Sequence, residues 1–85
     1  MYYLYVLLNS SRRHYIGLSK NPERRLAKHN SGATRSTKPF RPWQIAYSEA
    51  FHSKTEARKR ELFLKRTARA RNDIFATIDK NGPIV

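Results

Sequence analysis

The residues of this sequence best suited to chemistry are Tyr15 and Gly17 of the segment YIG, then Arg25 and His29, and then Glu61 in the second half of the chain. Arg25 and His29 are four residues apart, so they project from the same side of a helix. A guanidinium keeps its charge and matches a phosphate group with a planar fork of donors. A carboxylate can share a divalent metal ion with a phosphate group. Together these residue types indicate chemistry on a phosphate group.

The same residues resemble the motifs of the GIY-YIG nuclease family. In that family two strands contain the motifs of the name, one helix contains Arg and His four residues apart, and a second helix contains one metal-binding Glu. Residues 15–17 match the second motif, whereas residues 3–5, with the sequence YLY, retain only the last tyrosine of the first motif. The resemblance extends from about Tyr2 to Lys65. Among the members of the family, the chain most resembles the small single-domain bacterial ones. It implies a metal-dependent nuclease that acts on DNA.

Tyr5 and Tyr15 lie on the two predicted strands of a hairpin. Tyrosine is common in strands for packing reasons alone, but the resemblance implies that both line the active site and that one activates the attacking water. A five-residue loop that pairs Leu8 with His14 would place both on one face of the sheet, whereas a two-residue turn would place them on opposite faces. We predict the five-residue loop, with Tyr5 as the water-activating residue, His29 accepting or relaying its proton, and Tyr15 maintaining the geometry.

Arg25 and His29 also have simpler interpretations. Arg25 alone would be interpreted as a solvated cation, and a histidine near the C-terminus of a helix is favoured by the helix dipole. The resemblance instead implies that Arg25 stabilises the charge that builds on the phosphate group. Arg24 lies about 100° away around the same helix, so we expect it to be a solvated surface cation.

Glu61 is predicted to face inward, because it shares one stripe of its helix with Ala57 and Leu64. An ionised carboxylate facing a core is costly unless a cation meets it. One alternative is an ion pair with Lys65, four residues further along the helix; the resemblance favours a metal ligand. A single carboxylate predicts weak binding of Mg²⁺ (or Mn²⁺) without nucleic acid. Glu56 is a rival ligand, although its place in a helix cap already explains it.

The composition indicates a polyanionic partner. Eighteen Lys and Arg residues against six Asp and Glu give a formal charge of +12 and a pI near 10.8, and such a surface repels itself until a polyanion binds. Nucleic acid, with DNA first, is the predicted partner; a solvated basic surface and an anionic membrane are the alternatives. The residues predicted to contact nucleic acid are Gly17, Arg35, Lys38, Arg58 and Lys65. Cations surround the second helix, which favours contacts with the phosphate backbone over base recognition.

Size and composition exclude several classes of protein. The 85 residues, with a mass of 10.0 kDa, predict one domain (1–85) with a core of about residues 2–69 and a tail at 79–85. The absence of cysteine excludes disulfides and thiolate metal sites. The longest apolar run, residues 2–8, is too short to cross a bilayer. We therefore predict no membrane association, a cytoplasmic, nucleoid-associated location in a bacterium, and a monomer or weak homodimer.

The predicted fold class is α+β: a small three-stranded antiparallel sheet flanked by helices. Residues 1–8 contain no turn residue and are mostly apolar, which is typical of a central strand buried on both faces. Asn21 and Pro22 predict a helix start, and residues 53–56 match a capping box. The remaining predicted elements are strands at 14–18 and 43–47, a loop at 31–41, helices at 21–30 and from 53 to about Arg69, and a short helix at 72–77.

We therefore predict a metal-dependent endonuclease that hydrolyses phosphodiester bonds in DNA and is directed by DNA structure or only weakly specific. An activated water would attack phosphorus while Arg25 and a metal ion at Glu61 stabilise the growing charge. The alternative is a non-catalytic nucleic-acid-binding module of the same fold, which the degenerate first motif favours. The retained residues favour the enzyme: Tyr5, Tyr15, Arg25, His29 and Glu61. A structural or RNA-associated basic protein is the third alternative, and it gives no reason for an acid at Glu61.

Overall fold

The computed structural model describes residues 1–81 of the 85-residue chain. Its elements in chain order are strands β1 (Tyr2–Asn9) and β2 (His14–Ser19), helix α1 (Pro22–Asn30), a short 3₁₀ turn (Lys38–Phe40), strand β3 (Trp43–Phe51), and helices α2 (Lys54–Arg66) and α3 (Ala68–Asn81). Both strand pairs are antiparallel, and the strand order is β2-β1-β3. The predicted α+β fold, a three-stranded antiparallel sheet flanked by helices, is confirmed.

Strand β1 lies in the centre of the sheet, as its apolar sequence predicts. The side chains from Leu4 to Leu8 have no exposed surface. Successive side chains of a strand point to opposite faces. The even-numbered residues of this run accordingly pack with residues of α2 and α3, and Tyr5 and Leu7 pack with residues of α1 and β3. One strand therefore supplies two separate clusters.

The loop between β1 and β2 sets the register of the hairpin. Asn9 Oδ1 accepts hydrogen bonds from two backbone N–H groups of the loop, at 3.0 and 2.9 Å. Arg12 adopts the left-handed conformation, with φ 64°, that lets the chain reverse. Leu8 then pairs with His14, which is the register predicted from a five-residue loop.

Helices α1 and α2 both begin at their predicted caps. Asn21 Oδ1 accepts a hydrogen bond from Arg24 N at 3.1 Å, and Ser53 Oγ accepts one from Glu56 N at 3.2 Å. Each bond satisfies a backbone donor that has no partner inside the helix. Because both starts lie where the sequence predicts, the helical spacing of the candidate site residues is preserved.

Strand β3 is longer than predicted. It extends from Trp43 to Phe51 rather than ending near Tyr47, because it pairs with β1 along the length of that strand. In the added part, Glu49 accepts hydrogen bonds from the Arg60 guanidinium of α2, at 2.9 and 3.1 Å. The extension therefore also attaches α2 to the sheet.

The prediction for the C-terminal helices was wrong. Helix α2 ends at Arg66 rather than near residue 69, and residues 68–81 form α3 in place of a short helix at 72–77 and a tail. Thr67 interrupts the helix with φ −116° and ψ 88°. The Arg71 side chain then donates to two carbonyl oxygens in the last turn of α2, at 3.5 and 3.2 Å. These carbonyls would otherwise lack partners, so the bonds stabilise the break.

The core also extends beyond its predicted limit at residue 69. Ile78 of α3 is 3% exposed and packs in the cluster between the sheet and the C-terminal helices. The His14 ring stacks on Phe75 with 4.0 Å between centroids, and His14 Nε2 lies 3.4 Å from Asp79 Oδ1. Asp79, predicted to begin the tail, therefore belongs to a helix packed on the sheet. Residues 82–85 of the predicted tail lie outside the described residues.

Candidate active site

Tyr5 of β1 and Tyr15 of β2 lie on one face of the sheet, and both contact His29 of α1. Tyr5 pairs with Gly17, and Leu7 pairs with Tyr15, so the predicted shared face is confirmed. Tyr5 Oη is 3.1 Å from His29 Nε2. The Tyr15 ring lies edge-on to the His29 ring, with 4.9 Å between centroids. His29 itself has no exposed surface.

Gly17 makes room for the Tyr5 side chain. A Cβ atom at position 17 would lie 2.5 Å from both Cζ and Oη of Tyr5, which is closer than non-bonded atoms approach. Gly17 is buried beneath that ring. The structure therefore gives this glycine a packing role, and its contact with nucleic acid stays a prediction.

Thr37 is a polar partner of His29 that was not predicted from the sequence. Its side chain is 1% exposed, and its Oγ1 lies 2.9 Å from His29 Nδ1. With Tyr5 at Nε2, both ring nitrogens of the buried histidine have partners, as buried polar groups require. The one signal in the sequence was the richness of residues 31–41 in hydroxyl side chains, and that signal did not distinguish Thr37 from its neighbours.

Burial sets the ionisation of the Tyr5–His29 pair. Burial raises the pKa of Tyr5 above its ordinary value, and the nearby Arg25 guanidinium opposes that increase. Burial also lowers the pKa of His29, and the charges of Arg25 and Lys28 lower it further. At neutral pH Tyr5 is therefore a phenol and His29 a neutral imidazole. A neutral imidazole can accept the proton of the phenol.

Arg25 lies beside the phenol and at the margin of an open cavity. Its guanidinium is close enough to lower the pKa of Tyr5, and its Nε is buried with no hydrogen-bond partner among residues 1–81. The adjoining cavity has a volume of about 480 Å³ and is lined by Ser19, Asn21, Arg24, Arg25 and Lys28. Three cations around one cavity favour an anionic ligand.

Arg24 differs from its prediction in one respect. It is exposed, as expected for a solvated cation, but it lines the same cavity as Arg25 instead of pointing elsewhere. An arginine side chain is long enough to reach the cavity although its backbone position faces about 100° away from that of Arg25. Arg24 therefore adds positive charge to the region next to Arg25.

Glu61 faces inward from α2, as predicted. It is 8% exposed, and Ala57 and Leu64 of the same stripe are fully buried. Burial is the main cause that raises the pKa of Tyr5, and the negative charge of Glu61 adds a smaller contribution. The two groups are positioned by different layers, because α2 packs on the face of the sheet opposite to Tyr5.

Two cations of α2 form ion pairs with Glu61. Lys65 Nζ lies 3.3 Å from Oε2, and Arg58 Nη1 lies 3.7 Å from Oε1. The side chains of these cations are 55% and 62% exposed, so both pairs are weak and exchangeable. The ion pair with Lys65, which is the alternative to a metal-binding role for Glu61, is therefore formed. The predicted contacts of Arg58 and Lys65 with nucleic acid would therefore compete with their pairing to Glu61.

Glu61 fits a divalent metal ion only if waters and phosphate oxygens of a nucleic acid supply the other ligands. Within residues 1–81, no three His, Cys, Asp or Glu side chains come together in an arrangement that could hold a metal ion. Glu56 is exposed at the helix cap. One carboxylate, completed by waters and phosphate oxygens, satisfies Mg²⁺. The site therefore fits an ion held jointly with a nucleic acid backbone.

Arg35 and Lys38, the other predicted phosphate contacts, are exposed on either side of Thr37. Trp43 Nε1 donates a hydrogen bond to Thr37 O at 3.0 Å, which fixes the backbone between the two cations. The segment between α1 and β3 therefore contains both the exposed cations and the buried Thr37 that contacts His29. Whether these cations contact nucleic acid stays a prediction.

Residues 1–74 match the family model described as the GIY-YIG catalytic domain. The chain belongs to the GIY-YIG family. The resemblance identified in residues 15–17 and the residues that follow is thus confirmed. GIY-YIG domains are nuclease domains that generally use divalent metal ions, so a nuclease in general, with nucleic acid as its substrate class, is supported.

Small UPF0213 proteins are among the relatives of this GIY-YIG protein. It is 39% identical over 69 residues to a UPF0213 protein of Staphylococcus saprophyticus, covering 80% of this chain and 84% of that protein. It is 41% identical over 80 residues to one of Streptococcus agalactiae, covering 93% and 91%. The solution NMR structure of a UPF0213 protein from Bacillus halodurans matches with a TM-score of 0.54 and 29% identity, covering 92% of this chain and 85% of that chain. The predicted likeness to small members of the family is confirmed.

The sequence predicts no membrane association, and the feature of the structure that bears on this prediction is the length and apolar character of its helices. Within residues 1–81, no helix combines the length and apolar character needed to cross a bilayer. The predicted monomer or weak homodimer stays a prediction.

Proposed function

We propose that this GIY-YIG protein is a divalent-metal-dependent endonuclease that hydrolyses phosphodiester bonds in DNA, directed by DNA structure or only weakly specific. The observation on which the proposal rests is the 3.1 Å contact between Tyr5 Oη and His29 Nε2. It gives the phenol a proton acceptor, which a tyrosine needs in order to act as a base near neutral pH. Burial and nearby cations keep His29 neutral and able to accept.

The proposed reaction begins with proton transfer from the attacking water. Tyr5 Oη takes a proton from the water while its own proton passes to His29 Nε2, so no free phenolate forms. The water oxygen bonds to phosphorus as the bond to the leaving oxygen breaks in line. Solvent protonates the leaving oxygen, and His29 afterwards releases its proton to solvent.

Charge that builds on the phosphate group is met by Arg25 in this proposal. Its planar guanidinium keeps its charge and can bind two phosphate oxygens. Arg24 and Lys28, which line the same cavity, are placed to bind neighbouring phosphates of the strand. A Mg²⁺ or Mn²⁺ ion held by Glu61 would supply Lewis-acid stabilisation of the phosphate oxygens.

The hydrogen bond to His29 favours Tyr5 as the tyrosine that activates water, whereas exposure to solvent favours Tyr15. Tyr5 contacts the proton acceptor His29 but has no exposed surface, whereas Tyr15 is half-buried. We assign water activation to Tyr5, because a base needs an acceptor for its own proton. This assignment requires substrate binding to open a path for one water to Tyr5 Oη. Tyr15 then holds the His29 ring through its edge contact.

The proposal is tested by incubating purified protein with branched, nicked, single-stranded and duplex DNA, first with Mg²⁺ and then with EDTA. We expect cleavage that EDTA stops. Glu61→Ala should abolish cleavage and retain DNA affinity, because it removes the metal ligand. Glu56→Ala, which changes an exposed acid on the same helix, is the matched control and should still cleave. Cleavage by Glu61→Ala in a nuclease-free preparation would contradict the proposal.

A non-catalytic nucleic-acid-binding module is the second candidate. The ion pairs that engage Glu61 and the burial of Tyr5 favour it. It predicts DNA binding without cleavage in any metal, with affinity that falls with salt by a log–log slope of about 0.9 per neutralised phosphate. In both candidates the formal charge of +12 provides the attraction to DNA, and we propose a nucleoid-associated location in the bacterial cytoplasm.

A further inference from the structure

Thr37 is held in place by a dense set of hydrogen bonds. Its backbone N–H donates to Thr34 O at 3.2 Å, and its carbonyl accepts from Trp43 Nε1 at 3.0 Å. Its Oγ1 lies 2.9 Å from His29 Nδ1 and 3.3 Å from Thr34 O. Because the side chain is 1% exposed, these protein groups, rather than solvent, are its partners.

The partners of Thr37 decide which ring nitrogen of His29 bears the proton. A carbonyl oxygen can only accept, and Thr34 O lies 3.3 Å from Thr37 Oγ1, so the Thr37 hydroxyl can donate its proton there. Thr37 Oγ1 is then an acceptor for His29 Nδ1–H. The hydrogen bond at one ring nitrogen sets the tautomer of a neutral imidazole, so Nε2 keeps its lone pair. That lone pair meets the Tyr5 hydroxyl, 3.1 Å away.

We propose that Thr37 is a positioning residue that holds His29 in the Nδ1–H tautomer and so keeps Nε2 available for the proton of Tyr5. The proposal rests on the proposed nuclease function, because it describes how the proton acceptor of that site is prepared. In the opposite arrangement, Thr37 donates to Nδ1 and Nε2–H donates to the Tyr5 oxygen. The phenol would then have no acceptor for its proton at His29.

The tautomer is measured in the intact protein with ¹⁵N-labelled histidine, by long-range ¹H–¹⁵N correlation near neutral pH. The His29 signals are identified by their loss in His29→Gln. We expect a protonated Nδ1 and an unprotonated Nε2 in the wild type and in Thr37→Ser, which keeps the hydroxyl. Thr37→Val, which has nearly the same shape, should lose this tautomer. A proton on Nε2 in the wild type, or an unchanged tautomer in Thr37→Val, would overturn the proposal.

Cleavage gives the second readout. Thr37→Val should lower the single-turnover rate by about 10- to 100-fold, the range found for outer partners of metal-binding histidines, and it should leave DNA affinity unchanged. Thr37→Ser should recover most of the rate. Ser36→Ala alters an exposed neighbour and should match the wild type. A wild-type rate in Thr37→Val would overturn the proposal.

The two proposals fail in distinguishable ways. If the wild type cleaves no DNA but shows an Nδ1–H tautomer that depends on Thr37, the nuclease function fails and the orientation of His29 stands. If the wild type cleaves DNA with the proton on Nε2, the positioning role fails and the function stands. If Thr37→Val does not fold, the positioning role of Thr37 is tested by the His29 tautomer in the wild type and in Thr37→Ser. A proton on Nε2 in either protein would overturn that role.

Discussion

The α1 face and the α2/α3 face of the sheet share strand β1 but bury different chemistry. On the α2/α3 face, Leu4, Val6 and Leu8 pack with Leu64 and Ile78 in an apolar cluster. Burial of apolar surface is favourable at about 25 cal/mol per Å² and requires no precise geometry. This apolar cluster can therefore stabilise the fold without restricting the site.

The α1 face buries polar groups. Tyr5, His29 and Thr37 are each at most 1% exposed, and hydrogen bonds join the His29 ring to Tyr5 Oη and to Thr37 Oγ1. Buried polar groups are costly unless each has a partner. Changes to these three residues should therefore alter chemistry and stability together, whereas changes in the apolar cluster of the other face should alter stability alone.

On the α1 face, the largest expected effect is that of Tyr5→Phe. It removes the hydroxyl and keeps the ring, so cleavage should fall about 100- to 10,000-fold, as for loss of a general acid or base. His29 Nε2 loses its partner, which should cost about 1–3 kcal/mol in the free energy of unfolding. Single-turnover cleavage and denaturant unfolding measure the two effects. Tyr15→Phe is the matched variant; if its loss of cleavage is the larger one, water activation belongs to Tyr15.

Leu64→Ala tests the α2/α3 face. Leu64 is fully buried in the apolar cluster, and truncation should lower the free energy of unfolding by about 2–5 kcal/mol. Urea unfolding measures this loss, and cleavage per folded molecule should stay close to wild type. Phe63→Ala, at a neighbour that is 48% exposed, should change stability little. Loss of cleavage in a folded Leu64→Ala protein would show that the two faces are coupled.

The smallest expected effect is a pH dependence of stability through His29. Burial, and then the charges of Arg25 and Lys28, lower the pKa of His29 in the folded protein. As pH falls below about 6.5, the unfolded chain binds this proton first, so the free energy of unfolding should decrease until the pH is below the folded pKa. Cleavage should fall in the same direction, because a protonated imidazole accepts no proton.

His29→Gln isolates this contribution. The Gln variant lacks the titrating ring, so subtraction of its unfolding free energy from that of the wild type removes the other ionisable groups. Denaturant unfolding at several pH values supplies both curves. A difference that is constant across the acidic range would mean that the pKa of His29 is not lowered in the folded protein.

Part of the site could be predicted from loop length and helical spacing alone. Loop length fixes strand register, and register fixes the face on which each side chain lies, so the shared face of Tyr5 and Tyr15 was predictable. Helical spacing with Ala57 and Leu64 predicted that Glu61 faces inward. Both inferences need only residues that are close in sequence.

Thr37 and the break at Thr67 could not be found in this way. The contact of Thr37 with His29 depends on where the chain returns to the sheet, and the packing of Trp43 against β1 helps to set that position. No glycine or proline marks the end of α2 at Thr67. That break is stabilised by contacts of α3 with the rest of the fold, such as the stacking of Phe75, which helical periodicity does not reveal.

The family match ends at residue 74, in the middle of α3. A recombinant fragment cut at that boundary would lack Ile78, whose side chain covers part of the apolar cluster, and the carboxylate of Asp79 beside His14. Newly exposed apolar surface favours aggregation. Fragments made for crystallisation or for assays should therefore extend at least to residue 81, whatever boundary the catalytic domain is given.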